Sequence, residues 1–237
     1  MAYRAILAAM LVIAHRGASA AAEENTVRAF ELAVAMGTDG IELDVRRAAD
    51  GHLWVKHDPL PEQTLLAEHI VDLDVALAAC GDVLVNVEIK NSPGEFGYDA
   101  ALAVVEPTIE VLRRHGRTDR WIFSSFDWDT IQRCRDLAPD IASAYLVEQL
   151  DDADIRRTAA AGHRAIHPHA SALNTDSVRR CHEAGLAVNT WTSNDPDRLR
   201  ELESIGVDGV CTDVPDVALL ALGRRLGPLS PTWRDLA

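Results

Sequence analysis

The stretch Val83-Leu84-Val85-Asn86-Val87-Glu88-Ile89-Lys90 is a short apolar run that ends in a carboxylate and an ammonium. A run of this kind, continuous instead of alternating, predicts a strand buried on both faces, as in a parallel sheet covered by helices. The same reading applies at 10–14, 40–46, 121–124, 143–147, 164–167, 187–190 and 209–212. Between these runs lie helical patterns, including 100–115, 130–137, 152–161, 175–184 and 197–204, and a periodic segment from Val27 that ends at Gly37. Asp50-Gly51 is a turn signal between 40–46 and Leu53-Trp54-Val55, so an extended strand or a hairpin delivers His57 near the same end. Eight short strands, mostly followed by helices, predict a single (β/α)8 TIM barrel. The alternative, an open doubly wound sheet, lacks a Gly-x-Gly-x-x-Gly phosphate loop here.

The chain has 237 residues, 48% of them hydrophobic, enough for a full core, and is read as one domain over 1–237 with its barrel core at about 10–218. A formal charge of −14 without a Lys/Arg-rich run argues against nucleic acid as a partner. A small anionic substrate fits only where cations are concentrated or a metal supplies charge. Cys80, Cys134, Cys181 and Cys211 form no Cys-x-x-Cys pair and read as small core residues in a reducing, cytoplasmic compartment. The apolar run after Arg4, followed by Ala18-Ser19-Ala20, resembles a signal peptide with a small-residue cleavage site. Cleavage there would remove His15 and Arg16, so a buried first strand is the preferred reading. The run is too short to span a bilayer, and no integral membrane segment is expected. The segment 227–237 packs on the barrel or on a neighbouring copy, which leaves a homo-oligomer open.

The chemistry-bearing side chains fall where strands hand over to loops: His15-Arg16-Gly17, Glu42-Leu43-Asp44, His57-Asp58 and Glu88-Ile89-Lys90. Glu42 and Asp44 are two apart on a strand and so share a face, as do Glu88 and Lys90. Three converging carboxylates without thiolates suit a hard, oxygen-seeking ion, Mg²⁺ or Ca²⁺. His15 and His57 form a natural proton-transfer pair, since imidazole titrates near neutral pH. Arg16 and Lys90 supply local positive charge for a phosphate. Phe126 and Trp191 offer apolar faces to the pocket or serve as core. His167 and His169, alternating across Pro168, both face the mouth or cap the rim.

His15-Arg16-Gly17-Ala18-Ser19, Glu24-Asn25-Thr26, Glu42-Leu43-Asp44 and His57-Asp58 closely resemble the glycerophosphodiester phosphodiesterase family. The likeness continues through Val87-Glu88-Ile89-Lys90, Ser124-Ser125-Phe126-Asp127, Asn189-Thr190-Trp191-Thr192 and the stretch from Gly206 to Asp213. It implies a barrel enzyme that uses a divalent metal to hydrolyse a small-molecule glycerophosphodiester to glycerol 3-phosphate and an alcohol. In that reading His15 and His57 are the general acid and base, Glu42, Asp44 and Glu88 bind the metal, and Arg16 and Lys90 contact phosphate.

Two departures stand out. Glu23 replaces a proline common in the family, which loosens the entry to the first helix. Only about a dozen residues separate Asp58 from a helix near Ile70, a shortened cap insertion after the second strand region that leaves the pocket open. The open pocket widens the candidate head groups to lysophospholipid or sphingolipid phosphodiesters with phospholipase D-like chemistry. From a different class, Lys90 as the Schiff-base lysine of a lyase is disfavoured by Glu88 two residues away, and a non-catalytic phosphoester-binding barrel by the intact acid, base and ligand set.

Overall fold

The computed structural model describes residues 9–60 and 70–227. In chain order its elements are β1 (Leu11–His15), α1 (Val27–Met36), β2 (Gly40–Arg47), β3 (Leu53–Val55), β4 (Val71–Asp72), α2 (Leu73–Ala79), β5 (Leu84–Ile89), α3 (Val105–His115), β6 (Trp121–Ser125), α4 (Trp128–Leu137), β7 (Ala142–Val147), α5 (Asp152–Ala160), β8 (Ala165–Pro168), α6 (Thr175–Glu183), β9 (Ala187–Thr190), α7 (Pro196–Ser204), β10 (Gly209–Thr212) and α8 (Pro215–Ala221). The strands pair in the order β1-β10-β9-β8-β7-β6-β5-β2, and β2 returns to β1. Every pairing around that ring is parallel, so the eight strands close into a (β/α)8 barrel, as the sequence predicts. β3 pairs antiparallel with β2 outside the ring, and β4 with β3. The hairpin expected at Asp50-Gly51 is this β2–β3 pair, closed by Ala48 N–H donating to the His52 carbonyl at 2.8 Å.

Alternation along each strand sorts side chains into two environments. One set of residues, among them Ile41, Leu43, Val85, Val87 and Phe123, faces outward and packs on Phe30, Met36, Leu112 and Ile131 of the helices. A second outer cluster holds Val12, Ile166, Val188 and Val210 against Leu199, Leu202 and Leu219. Inside the barrel the apolar filling is slight: Leu11, Ile13 and Cys211 in one group, Ile122, Ala144, Ala165 and Ala187 in another. Other inward positions carry Glu42, Asn86, Ser124, His167 and Asn189, all buried. The four cysteines are buried and free, as expected of small core residues.

Most predicted bounds agree to within a residue or two, and the exceptions have local causes. The helix expected over 100–115 begins only at Val105. Asp99 Oδ1 accepts from Ala101 N–H at 2.8 Å and its Oδ2 from Ala103 N–H at 3.1 Å, while Leu102 takes φ 57°, so the preceding turn is capped instead of helical. The helix placed near Ile70 starts at Leu73, where Asp72 accepts from Asp74 N–H at 2.7 Å as N-cap. β4 and α8 are additional to the elements that the sequence predicts. The loosening anticipated from Glu23 is offset by Thr26, whose hydroxyl donates to the Glu23 carbonyl at 2.6 Å and accepts from Ala29 N–H at 3.2 Å. The shortened cap falls largely on residues 61–69, outside the described residues. So does the tail beyond Gly227, whose own N–H donates to the Met36 carbonyl at 2.8 Å. No helix among the described residues is long and apolar enough to cross a membrane.

The turn after β1 is built on Gly17, at φ 82°, where a Cβ would stand 2.6 Å from the Ala29 carbonyl carbon. Gly17→Ala combines a left-handed backbone with a clash against helix α1. It should lower unfolding free energy by about 2 kcal/mol or more in urea titration, and an unchanged midpoint would refute this account of the turn.

Candidate active site

The barrel register assembles the site. Parallel pairing sets His15 beside Glu42 between β1 and β2, and Asp44 beside Glu88 between β2 and β5. One carboxylate oxygen from each of Glu42, Asp44 and Glu88 lies within 4.8 Å of the others. Glu42 and Asp44 are 2% and 1% exposed, which makes mutual repulsion costly unless positive charge is near. Arg16 Nε lies 3.3 Å from Asp44, and Lys90 Nζ lies 2.9 Å from Glu88 and 3.8 Å from Asp44. Asn25 Nδ2 donates to Asp44 Oδ2 at 2.8 Å, and the Arg16 backbone N–H donates to Glu42 Oε2 at 3.0 Å. Arg16 is held in turn by Glu24 at 2.8 Å.

These cations do not fully offset the carboxylates. Burial, then repulsion from Asp44 and Glu88, pushes the Glu42 carboxyl well above its usual range, with Arg16 opposing. Burial and Asp44 likewise raise Glu88 against the pull of Lys90. Burial lowers the Lys90 ammonium, but Glu88 and Asp44 outweigh it and hold the group charged. Glu42 Oε1 is buried and has no hydrogen-bond partner among the described residues. A cluster made only of carboxylate oxygens, electrostatically strained and with one lone oxygen, suits a hard divalent cation.

His15 is the last residue of β1, and its Nδ1 lies 2.6 Å from Asp213 Oδ1, with Nε2 4.0 Å from Glu42. Asp213 also accepts from the Ser19 hydroxyl at 3.2 Å and from Asn194 Nδ2 at 2.7 Å. The bond to His15 is the main reason that its carboxyl falls from 3.8 to about 2. His57 follows β3, with Nδ1 3.0 Å from Asp58 Oδ1. In each histidine it is therefore Nδ1 that an aspartate engages.

His15, Arg16, Glu42, His57, Glu88 and Lys90 line one cavity of about 510 Å³ that opens to solvent. Asp44 sits behind this surface. Phe126 and Trp191 form another wall, edge to face with centroids 5.2 Å apart, and Lys90 Nζ stands 5.9 Å from the Phe126 centroid. Trp191 also packs against the small apolar group inside the barrel, so it is both pocket wall and core. Of the two histidines around Pro168, only His167 lines the cavity; burial drives it down to about 3, and Asn189 Nδ2 approaches its Nε2 at 3.0 Å. His169 accepts from Ser171 N–H at the rim and meets the edge of Trp191, which is the capping alternative.

All nine candidate residues thus converge at one end of the barrel. The sequence reading gave no role to Asp213, Asn25, Glu24, Asn86 or Asn189. Alternation held the signal for some of them: Asn86 lies two residues before Glu88, and Asp213 two after the inward Cys211.

Comparison with known proteins places the chain among its relatives. The profile described as "Glycerophosphoryl diester phosphodiesterase family" matches residues 15–76 and 59–217. A glycerophosphodiester phosphodiesterase of Caldanaerobacter subterraneus subsp. tengcongensis is 30% identical over 251 residues, covering 92% of this chain and 99% of that one. An uncharacterized protein of Bacillus subtilis is 32% identical over 238 residues, 87% of this chain and 96% of its own. Among solved structures, an Oleispira antarctica phosphodiesterase in complex with the product sn-glycerol-3-phosphate superposes with a TM-score of 0.82 at 27% identity, covering 91% of this chain and 97% of that chain.

His167 gives the site a pH signature. Folded, it stays neutral to about 3, whereas an unfolded histidine takes up its proton near 6.5. The unfolded state binds more protons in that window, so stability falls as pH drops below about 6.5. His167→Gln should lose less stability than wild type between about pH 7 and pH 5, by up to about 2 kcal/mol in urea unfolding, and equal losses would refute the assignment.

Proposed function

The chain belongs to the glycerophosphoryl diester phosphodiesterase family and is a phosphoric diester hydrolase; from that premise we propose that it cleaves glycerophosphodiesters to glycerol 3-phosphate and an alcohol, with Glu42, Asp44 and Glu88 holding a divalent ion and His15 and His57 exchanging protons. The observation that carries this reading is the three-carboxylate cluster within 4.8 Å, two of whose members, Glu42 and Glu88, line one cavity with both imidazoles. When bound, the ion supplies Lewis-acid polarisation of a phosphoryl oxygen and acidifies the attacking hydroxyl or water. Mg²⁺ and Ca²⁺ both fit the all-oxygen donor set.

The protein's own groups do the rest. Arg16 and Lys90 face the non-bridging oxygens and spread the charge that develops on them. One imidazole takes the nucleophile's proton through Nε2 while the other gives a proton to the leaving alkoxide. Asp213 holds the His15 ring in one tautomer and orientation by binding Nδ1. Phe126 and Trp191 offer apolar surface to the departing alcohol. The charged state of Lys90 argues against a Schiff-base reaction there. The four unpaired, buried thiols support a reducing, cytoplasmic setting.

The testing experiment is release of glycerol 3-phosphate from glycerophosphocholine and glycerophosphoethanolamine, after EDTA and with Mg²⁺ or Ca²⁺ added back. Metal-dependent release is expected, and turnover should fall by at least about 10²-fold in His15→Ala and in His57→Ala with the fold intact. No release from folded protein with either ion, but cleavage of lysophospholipid or sphingolipid diesters, would move the substrate class. Near wild-type turnover in either histidine variant would overturn the acid-base pair.

A separate titration checks the ligand set. Glu42→Gln removes a charged oxygen, and Asn25→Ala releases Asp44 from its 2.8 Å amide contact. Each should raise the metal concentration at half-activity by about tenfold or more, and an unchanged curve would exclude the residue from the ion's surroundings.

A further inference from the structure

Arg46 continues the inward face of β2 two residues beyond Asp44, opposite Trp54 of β3. Its side chain is 8% exposed, a costly place for a guanidinium unless its donors are used. Nε donates to the backbone carbonyl of His57 at 2.8 Å, and the terminal Nη2 donates to Glu95 Oε2 at 3.0 Å. Glu95 lies in the loop after β5, the strand that carries Glu88 to the site. His57 stands past the end of β3, and Asp58, which meets its ring, is 74% exposed. The segment is tied back to the barrel by Lys56 N–H donating to the Asp44 carbonyl at 2.9 Å and by Arg46.

We propose that Arg46 is a positioning residue for the reaction: its buried guanidinium fixes the backbone of His57, and with it the reach of that imidazole toward the phosphoryl group. The inference rests on His57 as a proton-transfer group. The fork geometry suits the task, because one planar group spans a carbonyl on the hairpin and a carboxylate on the neighbouring loop and so sets the two rim segments relative to each other. Lysine offers a charged donor for one of these partners and cannot reproduce the fork. Without the strut, His57 keeps its ring chemistry but loses its place, and a displacement of about 1 Å costs up to about 10²-fold in rate.

The test uses the full chain with saturating Mg²⁺ and glycerophosphocholine, comparing Arg46→Met, Arg46→Lys, Glu95→Gln and His57→Ala. In Arg46→Met, kcat should fall about 10- to 100-fold while KM and the Mg²⁺ titration stay within about twofold. In histidine-labelled protein, the His57 ring resonance, assigned by its loss in His57→Ala, should shift or broaden while that of His15 stays in place. Arg46→Lys should recover part of kcat, and Glu95→Gln should lose a smaller part than Arg46→Met. If Arg46→Met fails to fold, these two variants carry the same comparison. Wild-type kcat in the Arg46 variants beside an inactive His57→Ala would overturn the proposal. So would a loss accompanied by a shifted Mg²⁺ titration and a moved His15 resonance, which marks a distorted barrel. Full turnover in His57→Ala would remove the premise, and the inference with it.

Discussion

Asp44 is 1% exposed and has two other carboxylates within 4.8 Å, so the closed end of the site would not form without groups that draw negative charge inward. The groups that do so come from three places: the Asn25 amide before α1, the side chain and backbone N–H of Arg16 after β1, and Lys90 after β5. Each reaches the carboxylates because strand pairing fixes its height along the barrel axis. The left-handed residues Arg16 and Asn25, at φ 55° and 58°, belong to the same solution, since both bend the loop after β1 over Asp44. Position and charge are thus settled together, and the repulsion left over is of the kind a bound cation would relieve.

The barrel tolerates this polar interior because its stability lies elsewhere. Two large apolar clusters fill the space between strands and helices, while the clusters within the barrel are small and combine Ala144, Ala165 and Ala187 with a few larger side chains. Outward positions therefore bear most of the hydrophobic burial, and inward positions near the strand ends are released for chemistry. Gly209 shows how closely the interior is fitted: a Cβ there would meet Asn189 Oδ1 at 2.6 Å.

The barrel was legible because each strand is a compact apolar run, and the acidic cluster because residues two apart on a strand share a face. What stayed hidden depends on contacts between distant parts of the chain. Strand periodicity places Asp213 inward but says nothing of the histidine it meets. Asn25 sits in a turn whose left-handed backbone has no periodic signature, and Asp99 ends a helical pattern through side-chain bonds that compete with the helix. Arg46 reads as an ordinary strand-end charge until the hairpin brings the carbonyl of His57 back beside it.

The partnership of His15 and Asp213 joins residues 198 apart, across the β1–β10 pairing that closes the barrel. A contact over that span is a costly one to gain, because its loop-closure entropy precedes any reward. A nascent chain on the ribosome holds β1, β2 and β5 with their carboxylates long before β10 emerges. Asp213 orients the imidazole only once β10 docks, so the His15–Asp213 pair forms together with closure of the barrel.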